Sequence, residues 1–369
     1  MFPHHKLDWS LRRLESSLDD NPEDTATRAE LARASLSRAR FHGGGEVWFN
    51  KALTHARRIL QEDPGHAPTL VVAGMSLVGL DRLDPAQRYL DQALRLEPER
   101  ADLHLALSDM HAHGGDKHQA LRSMEDACRL APDDWEPHAL LGLLLADRGH
   151  QLGHPRRLME RSQFHIVRAL QIGPSEALLP DLLLSLAVSC LRTGRLDDAQ
   201  KLFEQLADTG RHQARARYYR GLVAYHMGKY KKAVLFLRRH LADSPENPHV
   251  LARIAMCYLH LGEVVHAREA CNRALAVEPE HLQARWTLGC ALLEEDRIDE
   301  GARIFKEILS DAPQHTPAFT ELVRIRRDLG DHGWLQKALR AEVGVHDRLP
   351  VAAAGDGPGR TVNPRASNR

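Results

Sequence analysis

The chain has 369 residues, with 50 Lys and Arg balanced by 50 Asp and Glu and a hydrophobic content of 43%. Zero net charge argues against a general polyanion binder, and the lack of any run of about 18 continuous apolar residues argues against a helical membrane span. The five cysteines, Cys128, Cys190, Cys257, Cys271 and Cys290, have no C-x-x-C spacing and fall mostly on apolar helix positions, the pattern of buried reduced thiols.

Met1 to Lys6 has no apolar run of the signal-peptide kind, so a cytoplasmic location is expected. Leu7, Leu11, Leu14 and Leu18 fall on one helical face, and Pro22 follows; residues 1–24 therefore read as a single capping helix. The first helix pair is expected over 25–66, with Leu31 and Leu36 on one helix, Ala52, Ala56 and Ile59 on the other, and Pro64 as terminator. It is about eight residues longer than a 34-residue unit, so each arm of its hairpin should gain about one turn. From Ala67 to Asp134 the sequence repeats itself: Ala86, Ala93 and Pro98 recur as Ala120, Ala127 and Pro132, at an offset of 34. Each half holds two apolar-periodic segments, Leu70, Ala73, Leu77 then Ala86, Leu90, Ala93, and Leu103, Leu107, His111 then Ala120, Met124, Ala127. Gly74, Ala86 and Ala93 are small enough for two helices to cross closely. Pro98 and Pro132 disfavour helical geometry in the preceding residue and so end each second helix.

A second long hairpin is expected over 135–176, with Leu141, Gly142 and Ala169 at packing positions and Pro155 near the start of its second helix. Its extra length carries Arg148, His150, His154, Arg156, Arg157 and Arg161, a solvated basic tip or a contact for an acidic partner. The 34-residue period then resumes over 180–213, 214–247, 248–281 and 282–315. Pro245, Pro279 and Pro313 end three of the second helices, and Thr209-Gly210 is expected to stop the other. Residues 316–345 read as capping helices with a charged outer face at Arg324, Arg326, Arg327 and Asp328, and 346–369 as a disordered tail.

A 34-residue unit of two helices, with small residues where they cross and a proline after the second, resembles the tetratricopeptide repeat (TPR). The resemblance implies an all-α fold, a right-handed superhelical solenoid of about eight helix pairs over 25–315. It also implies a concave groove lined by the first helix of each pair. On the positions that leave the packing seam lie Arg215, Tyr218, Tyr219, Tyr225, Arg253, Met256 and Trp286, with Val71, Val72 and Met75 as secondary contacts beside the hairpin arginines Arg156 and Arg157. Asp102, Asp109, Glu136 and Asp147 make the N-terminal half of this groove acidic. Co-chaperone members of the family hold heat-shock protein C-termini with a carboxylate clamp of Lys and Asn. Here the corresponding places hold Val71 and Met75, Leu105 and Asp109, or Tyr218 and Leu222, a departure from the clamp.

Walker-type, G-x-S-x-G and H-E-x-x-H patterns are absent, so no enzyme activity and no cofactor are expected. Among the 23 histidines, His104 and His111 are seven apart, whereas zinc helices offer spacings of three or four; no metal site is expected. The reading is a scaffold or adaptor that holds a protein or peptide segment in its groove, without membrane insertion. The alternatives are a regulatory subunit of an enzyme, or RNA or single-stranded nucleic-acid binding through 192–239. That stretch has twelve Lys or Arg against four Asp or Glu, with Tyr218, Tyr219, Tyr225 and Tyr230 interleaved, but the acidic half of the groove would repel a phosphate chain.

Overall fold

The structure is a computed structural model and describes residues 4–42, 45–153, 155–242, 245–328 and 330. The second half of the expected C-terminal cap and the whole expected tail lie outside them. The described residues contain α-helices and no strands. They fall into two compact units, Met1–Ala216 and Arg217–Arg369.

The first unit holds α1 (His4–Asp20), α2 (Thr25–Phe41), α3 (Gly45–Glu62), α4 (Ala67–Gly79), α5 (Leu83–Leu96), α6 (Ala101–His113), α7 (Lys117–Leu130), α8 (Trp135–Gln151), α9 (Arg156–Ile172), α10 (Leu179–Arg192) and α11 (Leu196–Asp208). From α2 onward the helices pack as consecutive pairs, α2 with α3, α4 with α5, and so on to α10 with α11. The division between units falls inside α12 (Gln213–His226). The second unit continues with α13 (Tyr230–Leu241), α14 (Pro248–His260), α15 (Val264–Val277), α16 (Leu282–Glu294), α17 (Ile298–Asp311) and α18 (Thr316–Asp328).

Small residues set the distance between the two helices of a pair. In the first unit, a methyl group placed on Gly74 would lie 2.5 Å from Leu90 Cδ2, and one on Gly142 would lie 2.5 Å from Ile166 Cγ1. In the second unit Gly221 meets Leu237 and Gly289 meets Phe305 in the same way. Ser108 takes this place in α6, its buried hydroxyl donating to the Ala120 carbonyl at 2.8 Å. The facing positions on the second helices, Ala52, Ala86, Ala120, Ala199, Ala233 and Ala267, are 0–1% exposed. Interhelical contact is thus made by backbone and methyl groups, and larger neighbours such as Leu90 and Phe305 fill the space around it.

The turns follow the same period. The residue that leads out of each first helix adopts positive φ at Asp81, Gly115, Gly153 and Gly194 in the first unit and at Gly228, Gly262 and Asp296 in the second. Glycine reaches this left-handed region without a Cβ clash, and Asp tolerates it better than most residues. At the other end, Glu97, Ala131, Glu278 and Ala312 cap α5, α7, α15 and α17 with φ of −139 to −130 and ψ of 72 to 90. Each precedes a proline, whose ring excludes helical geometry there. Gly173 ends α9 in the left-handed region, and Thr209 caps α11 ahead of Gly210 at φ 75. Pro155 stands just outside α9 as its N-cap.

The two hairpins with extra sequence are built from longer helices. α2 and α3 have 17 and 18 residues and α8 and α9 have 17 each, whereas α4 to α7 have 13 or 14. The excess is about one turn per helix.

Candidate partner-binding surfaces

In the first unit the leading helices of successive pairs touch one another, α2 on α4, α4 on α6 and α8 on α10. They share one face, and the last turn of α2 lies across it. Arg40 donates from Nη2 to Asp109 Oδ2 on α6 at 3.1 Å and from Nη1 to Glu136 Oε1 on α8. Phe41 sets its ring 5.9 Å from that of Trp135, the first residue of α8. The Arg40 side chain is 15% exposed. Burial pushes the Asp109 and Glu136 carboxyls above their usual range, while Arg40 pulls both back toward the ionised form.

The acidic half of the expected groove is therefore partly consumed inside the molecule, because Asp109 and Glu136 serve as ligands for Arg40. Val71, Val72 and Met75 are 1%, 7% and 6% exposed and belong to the hydrophobic core, which corrects their expected place as groove contacts. Eleven of the thirteen residues of α4 are buried, so that helix offers no free face. Phe49 of α3 contributes by lying against Gly79, where an added Cβ would meet its ring at 2.3 Å. On the second long hairpin, Arg156 and Arg157 are both exposed at the start of α9, and Arg156 donates to Glu160 at 2.8 Å. Arg215 is exposed just ahead of the unit boundary.

In the second unit, α14 and α16 touch directly, and the remaining expected residues lie on α12, α14 and α16. They separate into two kinds. Tyr225 belongs to an aromatic seam: its hydroxyl lies 3.2 Å from His260 Nε2, and His260 stacks on Tyr230 with ring centroids 4.5 Å apart and planes 7° apart. Met256 is 5% exposed, so its thioether fills the core and leaves no anchor at the surface. Tyr218 is half-buried, edge-on to Tyr219 at 5.3 Å and tilted against His240 at 5.4 Å. Arg253 is also half-buried, and its guanidinium reaches only the Met256 sulfur, at 4.0 Å, with no carboxylate partner among the described residues. Trp286 is half-buried, and its Nε1 is enclosed without a hydrogen-bond acceptor.

Two further clusters escaped the sequence reading because their members are distant along the chain. The Cys128 thiol and one ring nitrogen each of His138 and His165 lie within 4.8 Å of one another, and so do ligand atoms of His249, Glu278 and His281. Cys128 entered the sequence analysis as a buried reduced thiol and not as a ligand. No spacing signal marks them, since Cys128, His138 and His165 lie on three consecutive helices, 10 and 27 residues apart.

A family profile described as tetratricopeptide repeat matches residues 71–134 and 184–248, and a second with the same description matches 224–288. These are tetratricopeptide repeats. Among curated proteins, the chain is 24% identical over 262 residues to Superkiller protein 3 of Schizosaccharomyces pombe, covering 69% of this chain and 17% of that protein. It is 32% identical over 81 residues to the FK506-binding protein-like protein of Mus musculus, covering 22% of this chain and 23% of the other. The chain thus spans about a quarter or less of the length of these two relatives. Among solved structures, the human IFIT1 dimer with m7Gppp-AAAA superimposes with a TM-score of 0.50 at 15% identity, over 82% of this chain and 67% of that one. A monomeric IFIT1 mutant gives 0.51 at 13% identity, over 83% and 68%. At such identities the likeness concerns the repeat fold alone.

Proposed function

We propose that the chain is a non-catalytic TPR scaffold that holds a segment of another protein on the first helices of its second unit. One observation carries this reading: Arg253 has no carboxylate and Trp286 Nε1 no acceptor among the described residues. Trp286 Nε1 is enclosed and Arg253 half-buried, and donors withdrawn from water are costly to leave without partners. A peptide carboxylate supplies what Arg253 lacks, a rotation of the half-buried Trp286 ring would bring its Nε1 to a main-chain carbonyl, and Tyr218 and Tyr219 offer half-buried aromatic surface on α12 of the same unit. Aromatic and arginine side chains are the residue types that dominate interface energies. The first unit is the poorer candidate, because its Asp109 and Glu136 are engaged by Arg40 and its α4 is closed.

Nucleic-acid binding through 192–239 is the weaker reading. Tyr225 and Tyr230 stack internally around His260 and so do not present free faces to bases.

The test starts from a partner captured with the full chain and identified, whose binding segment is then titrated by calorimetry. The Tyr218→Ala, Arg253→Ala double variant should lose about 2 kcal/mol or more, roughly thirtyfold in affinity, with a melting temperature close to wild type. Trp286→Phe keeps most of the packing and removes only the donor, so a smaller loss is expected. Unchanged binding in both variants would move the surface elsewhere, and the hairpin at Arg156 and Arg157 would be mutated next. Loss of capture on digestion with ribonuclease would favour the nucleic-acid reading.

A further inference from the structure

We propose that Cys128, His138 and His165 form a binding site for one borderline-soft divalent ion, with Zn2+ the best match. Cys128 lies in the last turn of α7, His138 in the first turn of α8 and His165 in the middle of α9, so three consecutive helices supply one ligand each. Their donor atoms are within 4.8 Å of one another. In a tetrahedral zinc site with one sulfur and two nitrogens, ligand atoms lie about 3.3 to 3.6 Å apart. Small rotamer changes bring the three to that spacing.

The imidazoles are already oriented as a metal requires. His138 Nε2 lies 3.2 Å from the Pro132 carbonyl. A carbonyl only accepts, so Nε2 carries the proton and Nδ1 keeps its lone pair. That Nδ1 faces His165 Nδ1 at 2.9 Å, with the ring planes 27° apart and the centroids at 5.2 Å. Metal-bound histidines characteristically hand their other N–H to a backbone carbonyl or a carboxylate, and Pro132 fills this role. Without an ion, His165 Nδ1–H donates to His138. With one, the His165 proton moves to Nε2 and the nitrogens separate by about 0.4 Å to admit the cation.

The ion also gives the thiol a reason to ionise. Burial, with the negative fields of Glu125 and Asp134, pushes the Cys128 thiol up to about 12, so without a cation it stays protonated. Binding is then Zn2+ plus thiol giving zinc thiolate plus one proton. The imidazoles contribute none, since His138 Nδ1 already holds its lone pair and the His165 proton moves from Nδ1 to Nε2. Glu125, one turn before Cys128 on α7, is held by Arg161 of α9 at 2.5 Å and supplies compensating charge. Solvent completes the coordination. The ion would tie the long α8–α9 hairpin to α7 at its base.

The cluster of His249, Glu278 and His281 lacks a thiol, has an exposed member, and spends His281 Nδ1 on the Ala284 amide at 3.2 Å. It serves as the control.

The experiment titrates Co2+ and then Zn2+ into the full chain after stripping with a chelator, under a thiol reductant. One equivalent of Co2+ should give a thiolate-to-cobalt charge-transfer band with tetrahedral d–d absorption, and Zn2+ should displace it. Cys128→Ser should abolish the charge-transfer band, and His165→Gln should weaken binding by about a hundredfold or more, more than loss of a supporting partner costs. Both variants are checked for unchanged helicity by circular dichroism. Zinc affinity should rise about tenfold per pH unit around neutrality, as release of one proton requires. Absence of the band in wild type, its persistence in Cys128→Ser, or binding that disappears in His249→Gln and survives in Cys128→Ser would each overturn the proposal.

Discussion

At the scale of single residues, the helix crossings are the places where a methyl group matters most. A Cβ on Gly142 would approach not only Ile166 Cγ1 but also the Ile166 nitrogen at 3.1 Å and the Ser162 carbonyl at 3.3 Å. Backbone cannot rotate away, so Gly142→Ala should cost about 1–3 kcal/mol in overpacking, more than the ~1 kcal/mol that Ala gains over Gly in helix propensity. At Gly74 the three nearest neighbours are all side-chain atoms of Leu90, which can shift. Gly74→Ala should therefore be the milder change, and denaturant midpoints of the two variants compare them directly. Acid sensitivity is also a residue property. Burial holds His165 down to about 4 and lowers His55, His138, His281 and His315 as well. Between about pH 4 and 6.5 the unfolded chain binds more protons at these sites than the folded one. Their contribution is thus complete above about pH 6.5 and is lost progressively as pH falls toward 4. The raised carboxyls Asp109 and Glu136 act in the opposite direction, so the clean measurement is a difference. His165→Gln should show a flatter fall in melting temperature over this window than wild type, and identical slopes would refute the assignment.

At the scale of elements, one extra turn changes what a helix does. The additional residues of α2 end in Arg40 and Phe41, which reach α6 and α8 and close the inner face of the first unit. Removal of the guanidinium leaves Asp109 and Glu136 facing each other with no cation between them. Arg40→Ala should cost on the order of 2 kcal/mol, the scale of lost hydrogen bonds to charged groups, and should speed amide exchange in α6 and the start of α8. Unaltered stability and exchange would mean that the bridge is a weak surface pair. α9 uses its length differently: its buried Gln163 donates to Ser189 and Thr193 of the next pair and accepts from Arg195. That satisfied polar group fixes how the long hairpin meets its neighbour.

At the scale of the whole molecule, five of the six residues at the carboxylate-clamp places are apolar and enclosed or already engaged, and the sixth, Tyr218, is an aromatic with no charge to hold a carboxylate. Val71, Met75, Leu105 and Leu222 are buried, and Asp109 is bound by Arg40. Peptides that end in the acidic heat-shock motif should show no measurable heat of binding to the full chain, and micromolar affinity would require a different constellation to do the clamp's work. No described helix is long and apolar enough to cross a membrane, and all five cysteines are free and buried. On the reading proposed above, a partner is recognised by side chains that the repeats leave half-exposed, above all Tyr218, Tyr219, Arg253 and Trp286.

The amino-acid sequence by itself determined the repeat. Ala86 and Ala120, Gly74 and Gly142, and the prolines after the second helices are local signals, and each acts on its own turn or its own crossing, so periodicity reveals them without coordinates. The extra turns of the two long hairpins were legible for the same reason, as eight residues beyond the period. Tertiary structure alone decided where those turns go and which inner-face residues remain accessible. Arg40 meets Glu136 across 96 residues of sequence, Tyr225 finds His260 on the next pair, and Cys128, His138 and His165 converge from three helices. A position's place in the 34-residue unit tells which side of its helix it occupies. Whether another part of the chain already covers that side depends on contacts between units that the period does not encode.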